Sequence, residues 1–117
     1  MKKLFVVTRT RGNAWNLAKP MRAQAGWQEH ALFMDDLSNA GFVVLGGPLG
    51  EGEKTLLIVD AADENEIRQT FARDPWSKSS ILDVRSIQLW TVLLQAAGPK
   101  LRVMPPPEEN LESDARA

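Results

Sequence analysis

His30, the only histidine in this 117-residue chain, and Asp74, which directly precedes a proline, are the side chains whose types best suit proton transfer. At helical spacing, Ala23, Trp27, His30, Met34 and Leu37 form one apolar stripe, with Gln28, Glu29, Asp35, Asp36 and Asn39 opposite. The imidazole therefore faces the core. A core-facing imidazole must be satisfied by a hydrogen-bond partner or a ligand, which makes it a candidate general acid and base. Helical side chains lean toward the N-terminus, so His30 is expected over the turn of Gly26 and Trp27. The missing side chain of Gly26 would leave room there for a small ligand, or for close helix packing.

Asp74 closes a stretch, AADENEIRQTFARDPW, that signals a short helix: Asp63 is the N-cap, Glu66 completes a capping box, and Ile67, Thr70 and Phe71 face inward. Pro75 forbids continuation, and the residue before a proline is pushed out of the α region. At that helix end the macrodipole disfavours a negative charge. Compensation is open to Arg73, to nearby backbone N–H groups in an Asp turn, or to a protonated His30.

Other candidates stand nearer the N-terminus and in glycine-rich or serine-bearing segments. Arg9 and Arg11 could clamp an anion, with Trp15 covering it, or could simply be solvated. Gly46 and Gly47 would let the backbone approach another element or a ligand closely. The GGPLGEGEKT segment lacks glycine directly before its lysine and runs on into a β-type sequence, so Gly50 to Glu53 reads as a hairpin turn rather than a phosphate loop. The hydroxyls of Ser79, Ser80 and Ser86 could line a pocket.

Composition narrows the function. Fourteen Lys and Arg nearly cancel 15 Asp and Glu, so the basic footprint of a nucleic-acid binder is missing. Without cysteine there is no thiolate chemistry, and one histidine cannot build a multi-histidine metal site within a subunit, so neither a metal nor a cofactor is expected. No run approaches the roughly 20 apolar residues of a membrane span. MKKLFVV is too short and too quickly followed by charge to be a secretory signal, so the expectation is a soluble cytoplasmic protein.

Positioning these residues requires a sheet with helices on it. The chain reads as a strand over 3–9, a helix from about Met21 to Ala40 stopped by Gly41, a strand from Phe42 to Leu45, a strand from Lys54 to Val59, the short helix, and a strand from Ile81 to Leu94 with a bulge near Ser86. Strand, helix, strand, strand, helix, strand is the βαββαβ order of an α+β, ferredoxin-like fold with a four-stranded antiparallel sheet. Both helices would cover one sheet face. Nearly continuous apolar runs such as FVV and LLIV leave the other face hydrophobic as well, which predicts a homodimer through the sheet faces. This domain occupies 1–95, and the Pro-rich acidic segment 96–117 reads as a C-terminal tail.

Trp27, His30, Met34, Leu37 and Gly41, then GGPL at Gly46 to Leu49, LLIVDA at Leu56 to Ala61, DPW at Asp74 to Trp76, and Ile87 with Trp90 together resemble the YCII-related domain family of small dimeric α/β-barrel proteins. The resemblance covers about Lys3 to Leu94 and implies a ferredoxin-like dimer whose active site is built around His30 and Asp74. Similarity in fold to muconolactone isomerases, and a related muconolactone dehalogenase, imply cofactor-independent proton transfer on a small carbonyl compound or lactone. His30 would be the general base and acid and Asp74 its orienting carboxylate. The substrate would lie among Arg9, Arg11, Gly26, Trp27, Gly47 and Ser86. The other function the residues allow is a non-catalytic small-molecule-binding or accessory module of the same fold.

Overall fold

Alternation along the first strand decides how the molecule is layered. In β1 (Lys3–Arg11), Phe5, Val7 and Arg9 are buried while Leu4, Val6, Thr8 and Thr10 are only half-buried, so the strand has one covered and one open side. The computed structural model describes residues 3–97. Its elements after β1 are α1 (Trp27–Asn39), β2 (Val43–Leu49), β3 (Lys54–Ala61), α2 (Glu64–Ala72), α3 (Pro75–Lys78) and β4 (Leu82–Leu89). The four strands form one antiparallel sheet in the order β2-β3-β1-β4, the ferredoxin-like arrangement.

Both long helices cover the same face. Met34, Phe33 and Leu37 of α1 and Ile67 and Phe71 of α2 pack on Phe5, Val7, Val43, Leu57, Val59 and Ala61. At the open face Leu45 and Trp90 keep 38% and 43% of their surface exposed, an apolar surface on a single chain.

Local chemistry accounts for most element ends. Asp63 accepts from Glu66 N–H at 2.9 Å, and the Glu66 carboxylate accepts from Ala62 N–H at 2.7 Å, the reciprocal cap that starts α2. The turn after β2 uses Gly50 at φ +52° and Gly52 at φ +94°. In β4 the register with β1 slips between Thr8 and Arg9, so that Thr8 faces Ser86 and Arg9 faces Val84, leaving Arg85 as the bulged residue.

Several boundaries differ from the sequence reading: β1 runs on to Arg11, β2 to Leu49 and β3 to Ala61, each beyond the end expected for it. The helix expected from Met21 begins at Trp27. A short 3-10 turn, Met21–Ala23, precedes it and ends at an extended Gln24, and Gly26 takes a left-handed φ of +77° as the N-cap of α1. The strand expected to reach Leu94 ends at Leu89, beyond which Leu93 and Leu94 are about nine-tenths exposed (87% and 91%). The short helix α3 was not anticipated. Asp74-Pro75 does stop α2, but the same pair also starts α3, with Asp74 as N-cap and proline in the first turn. The expected tail lies, from residue 98 onward, outside the described residues.

Candidate active site

Asp74 is brought to the site by a tight reversal of chain direction. Its own N–H bonds Phe71 O as α2 ends, while its Oδ1 accepts from Trp76 N–H at 2.9 Å as α3 begins. The carboxylate thereby points back under the first helix. There the Nδ1 of His30 approaches Oδ1 at 3.0 Å and Oδ2 at 2.9 Å. Arg9 closes the group from β1, donating from Nη1 to Oδ2 at 2.7 Å and from Nη2 to Ser77 Oγ at 2.8 Å. His30 and Asp74 are 0% exposed and Arg9 1%.

Burial and partnership pull the acid in opposite directions. Removal from water alone would push the Asp74 carboxyl up. The hydrogen bond and charge of His30, and then those of Arg9, outweigh it and hold the group below its ordinary 3.8. Asp74 is therefore an anion at neutral pH. An ionised carboxylate can only accept, so the His30 Nδ1 must carry a hydrogen toward it. Arg9 shows the converse balance: burial pulls it below its ordinary value, while Asp74 pushes it up. Its Nε is buried without a hydrogen-bond partner among the described residues, a cost set against two charge-assisted bonds.

The imidazole is further held by an indole. Trp76 stacks on His30 with ring centroids 4.0 Å apart and planes 6° from parallel, and its Nε1–H bonds Ala25 O at 2.7 Å. Trp27 leans on both rings, at 5.9 Å from His30 and 5.6 Å from Trp76. Trp15 meets Trp76 edge-on at 5.8 Å. The segment before α1 is pinned by Gln24, whose side chain is almost wholly buried, accepts from Asn16 N–H at 2.8 Å and donates to Asn16 O and Lys19 O at 2.8 Å.

Of the residues singled out from sequence, His30, Asp74, Arg9 and Trp27 meet in one place. Gly26 borders it, but a side chain there would first meet Trp76, at 3.6 Å, so the indole occupies room expected for a ligand. Gly47 and Ser86 are not brought to it. Gly47 faces Leu56 in the register and a Cβ there would meet nothing within 4 Å, while Ser86 pairs with Thr8 on the open side of the sheet. Gly46 is the close-approach glycine, since a Cβ there would lie 2.5 Å from Leu57 Cδ2. Arg73, one possible partner of Asp74, is exposed, and Arg9 takes that place instead.

Trp76 and Gln24 were missed. The Asp-Pro-Trp order was a sufficient signal for a capped turn that buries the tryptophan, whereas nothing in the spacing marks Gln24. Arg11 lies apart, its guanidinium carbon 4.5 Å over the Trp15 ring. It lines a pocket of about 350 Å³ together with Trp15, Met21 and Leu82, and neither His30 nor Asp74 is in that wall.

A βαββαβ domain whose first helix carries a histidine clamped by an aspartate from the end of the second is a compact α+β module built around one buried ionic group. The YCII-related domain matches residues 3–91, and the chain belongs to that family. Comparison with curated proteins and with solved structures gave no match. No group of three or more potential metal ligands occurs among the described residues, and no helix of theirs is long and apolar enough to cross a membrane.

The lowered carboxyl has a definite consequence for stability. A carboxyl depressed on folding contributes stability that is complete above its ordinary 3.8 and is lost as the pH falls through the lowered value. Asp74→Asn should cost about 3–5 kcal/mol in urea unfolding at pH 7, because it leaves Arg9 buried without its anion. It should also flatten the acid limb of the stability profile. A loss below about 1 kcal/mol, the range of an exposed pair, would contradict this description of the site.

Proposed function

We propose that this domain is a cofactor-independent acid–base enzyme that moves a proton on a small carbonyl or lactone-type metabolite. His30 is the proton-transferring group, and Asp74 the positioning carboxylate. The observation that carries the reading is the shared carboxylate: Asp74 accepts from His30 Nδ1 at 2.9 Å while paired with Arg9 at 2.7 Å. Such an anion fixes the ring's orientation and stabilises the imidazolium that forms when the ring takes a proton from carbon. Arg9 keeps Asp74 from taking that proton itself. With His30 fully buried, a substrate reaches it only when covering atoms move, and the rings lying against the imidazole are those of Trp76 and Trp27.

Family membership supports a pairing of two such subunits through the open sheet faces, where Leu45, Val44 and Trp90 are exposed. Sedimentation at the mass of one chain at micromolar concentration would contradict that pairing.

A second reading, a non-catalytic small-molecule-binding module, is favoured by one observation. The pocket beside Arg11 is open, whereas His30 is closed off. In that reading the His30, Asp74 and Arg9 group staples β1, α1 and α3 together.

The two readings separate in deuterated water. A panel of small keto acids and lactones, followed by proton NMR, should reveal protein-dependent deuterium exchange at the carbon next to a carbonyl. His30→Gln, with its secondary structure retained, should slow that exchange by about 100-fold or more. Exchange equally fast in the folded variant would eliminate His30 as the acid–base group, and binding without exchange across the panel would favour the second reading.

A further inference from the structure

Arg9 and Arg11 leave β1 on the same side of the sheet, two residues apart, and meet different surroundings. Arg9 has its anion in Asp74. Among the described residues Arg11 has none: no ion pair there involves it, and its Nε is buried with no hydrogen-bond partner among them. A half-buried guanidinium with an unpaired, desolvated donor is a costly arrangement for a folded chain to keep, and a bound acceptor would relieve it.

The space beside it suits such an acceptor. The cavity of about 350 Å³ has apolar walls from Trp15, Met21 and Leu82, and the Gly50–Gly52 turn closes one side. That turn comes close enough that a Cβ on Gly52 would lie 3.8 Å from Arg11 Nη2. One face of the Trp15 ring is already covered by the guanidinium at 4.5 Å, which flattens Arg11 and holds its fork in place. A volume in this range accommodates a ligand of about one ring with a short substituent.

Charge selects the head group. The cavity offers one arginine, and the acid in its lining, Glu51, is exposed at the turn and makes no ion pair with it. One cation with a nearby acid suits a singly charged, planar, two-oxygen anion and disfavours a doubly charged phosphate. We propose that this cavity binds a small monocarboxylate with an apolar body, its carboxylate on the Arg11 guanidinium and its body against Met21 and Leu82. The inference rests on the small-molecule part of the function proposed above and is independent of proton transfer at His30.

Benzoate, titrated into the full chain and followed by the side-chain N–H signals of Arg11 and Trp15, is the direct probe. Saturable shifts of both are expected. Arg11→Gln, confirmed folded by circular dichroism, should weaken benzoate by at least about tenfold, the loss of a charge-assisted hydrogen-bonded pair. Benzamide, the neutral isostere, should bind the unaltered protein at least about tenfold more weakly than benzoate, a comparison that needs no variant. Absence of saturable shifts with benzoate, equal affinity in Arg11→Gln, or equal affinity for benzamide would each overturn the proposal. The His30→Gln variant separates this inference from the catalytic reading. Benzoate affinity retained there keeps the Arg11 site standing whatever becomes of the exchange chemistry. Affinity lost there and kept in Arg11→Gln would place the carboxylate at His30 and overturn the proposal made here.

Discussion

One carboxylate joins the layers of this domain. Asp74 receives hydrogen bonds from a guanidinium on β1, an imidazole on α1 and a backbone N–H of α3, all within 3.0 Å. A charge removed from water is tolerable only when it is paired and its lone pairs are filled, and these donors fill them. The requirement works in both directions. Arg9 can be buried in the sheet because Asp74 is there, and His30 is held in one orientation because Asp74 is kept an anion by Arg9.

The arrangement separates two kinds of polar chemistry in one small molecule. Around Asp74 the charges are internal, matched and covered by Trp76, whose ring lies flat on the imidazole. Around Arg11 the charge has no ion pair among the described residues and borders open space. Trp15 touches both regions, edge-on to Trp76 on one side and under Arg11 on the other, so the two are linked through aromatic rings. A rearrangement of the segment carrying Trp15 would therefore alter the packing on Trp76 and the shape of the Arg11 cavity together.

Much of this was readable from residue order. The strands, the Gly50 to Glu53 turn, the cap at Asp63 and the inward face of the short helix all rest on local rules that the fold obeys. So does the placement of His30 on the buried side of its helix. What escaped was decided by tertiary partners. Arg9 continues the buried phase of Phe5 and Val7, yet a charge in that phase makes sense only once Asp74 is known to reach it from 65 positions away. Asp74 was read as the end of one helix when it is also the beginning of the next, so an expected electrostatic penalty becomes a cap. Gly26 reads as a residue inside the helix, leaving room for a ligand or for close packing, whereas it is the left-handed residue from which the helix starts, with Trp76 packed against it. Gly47 and Ser86 were assigned to the site on residue type alone, and the pairing register puts them on the other side of the sheet.

Because the chain has a single histidine, its ring nitrogens can be observed without ambiguity. Nitrogen-15 NMR of the uniformly labelled folded protein, recorded across the neutral pH range, tests the central claim most directly. If Asp74 is the anion that orients His30, Nδ1 bears a hydrogen throughout, whether the ring is neutral or cationic. A folded protein whose Nδ1 shows the shift of a bare, unprotonated nitrogen would contradict the shared carboxylate and everything built on it.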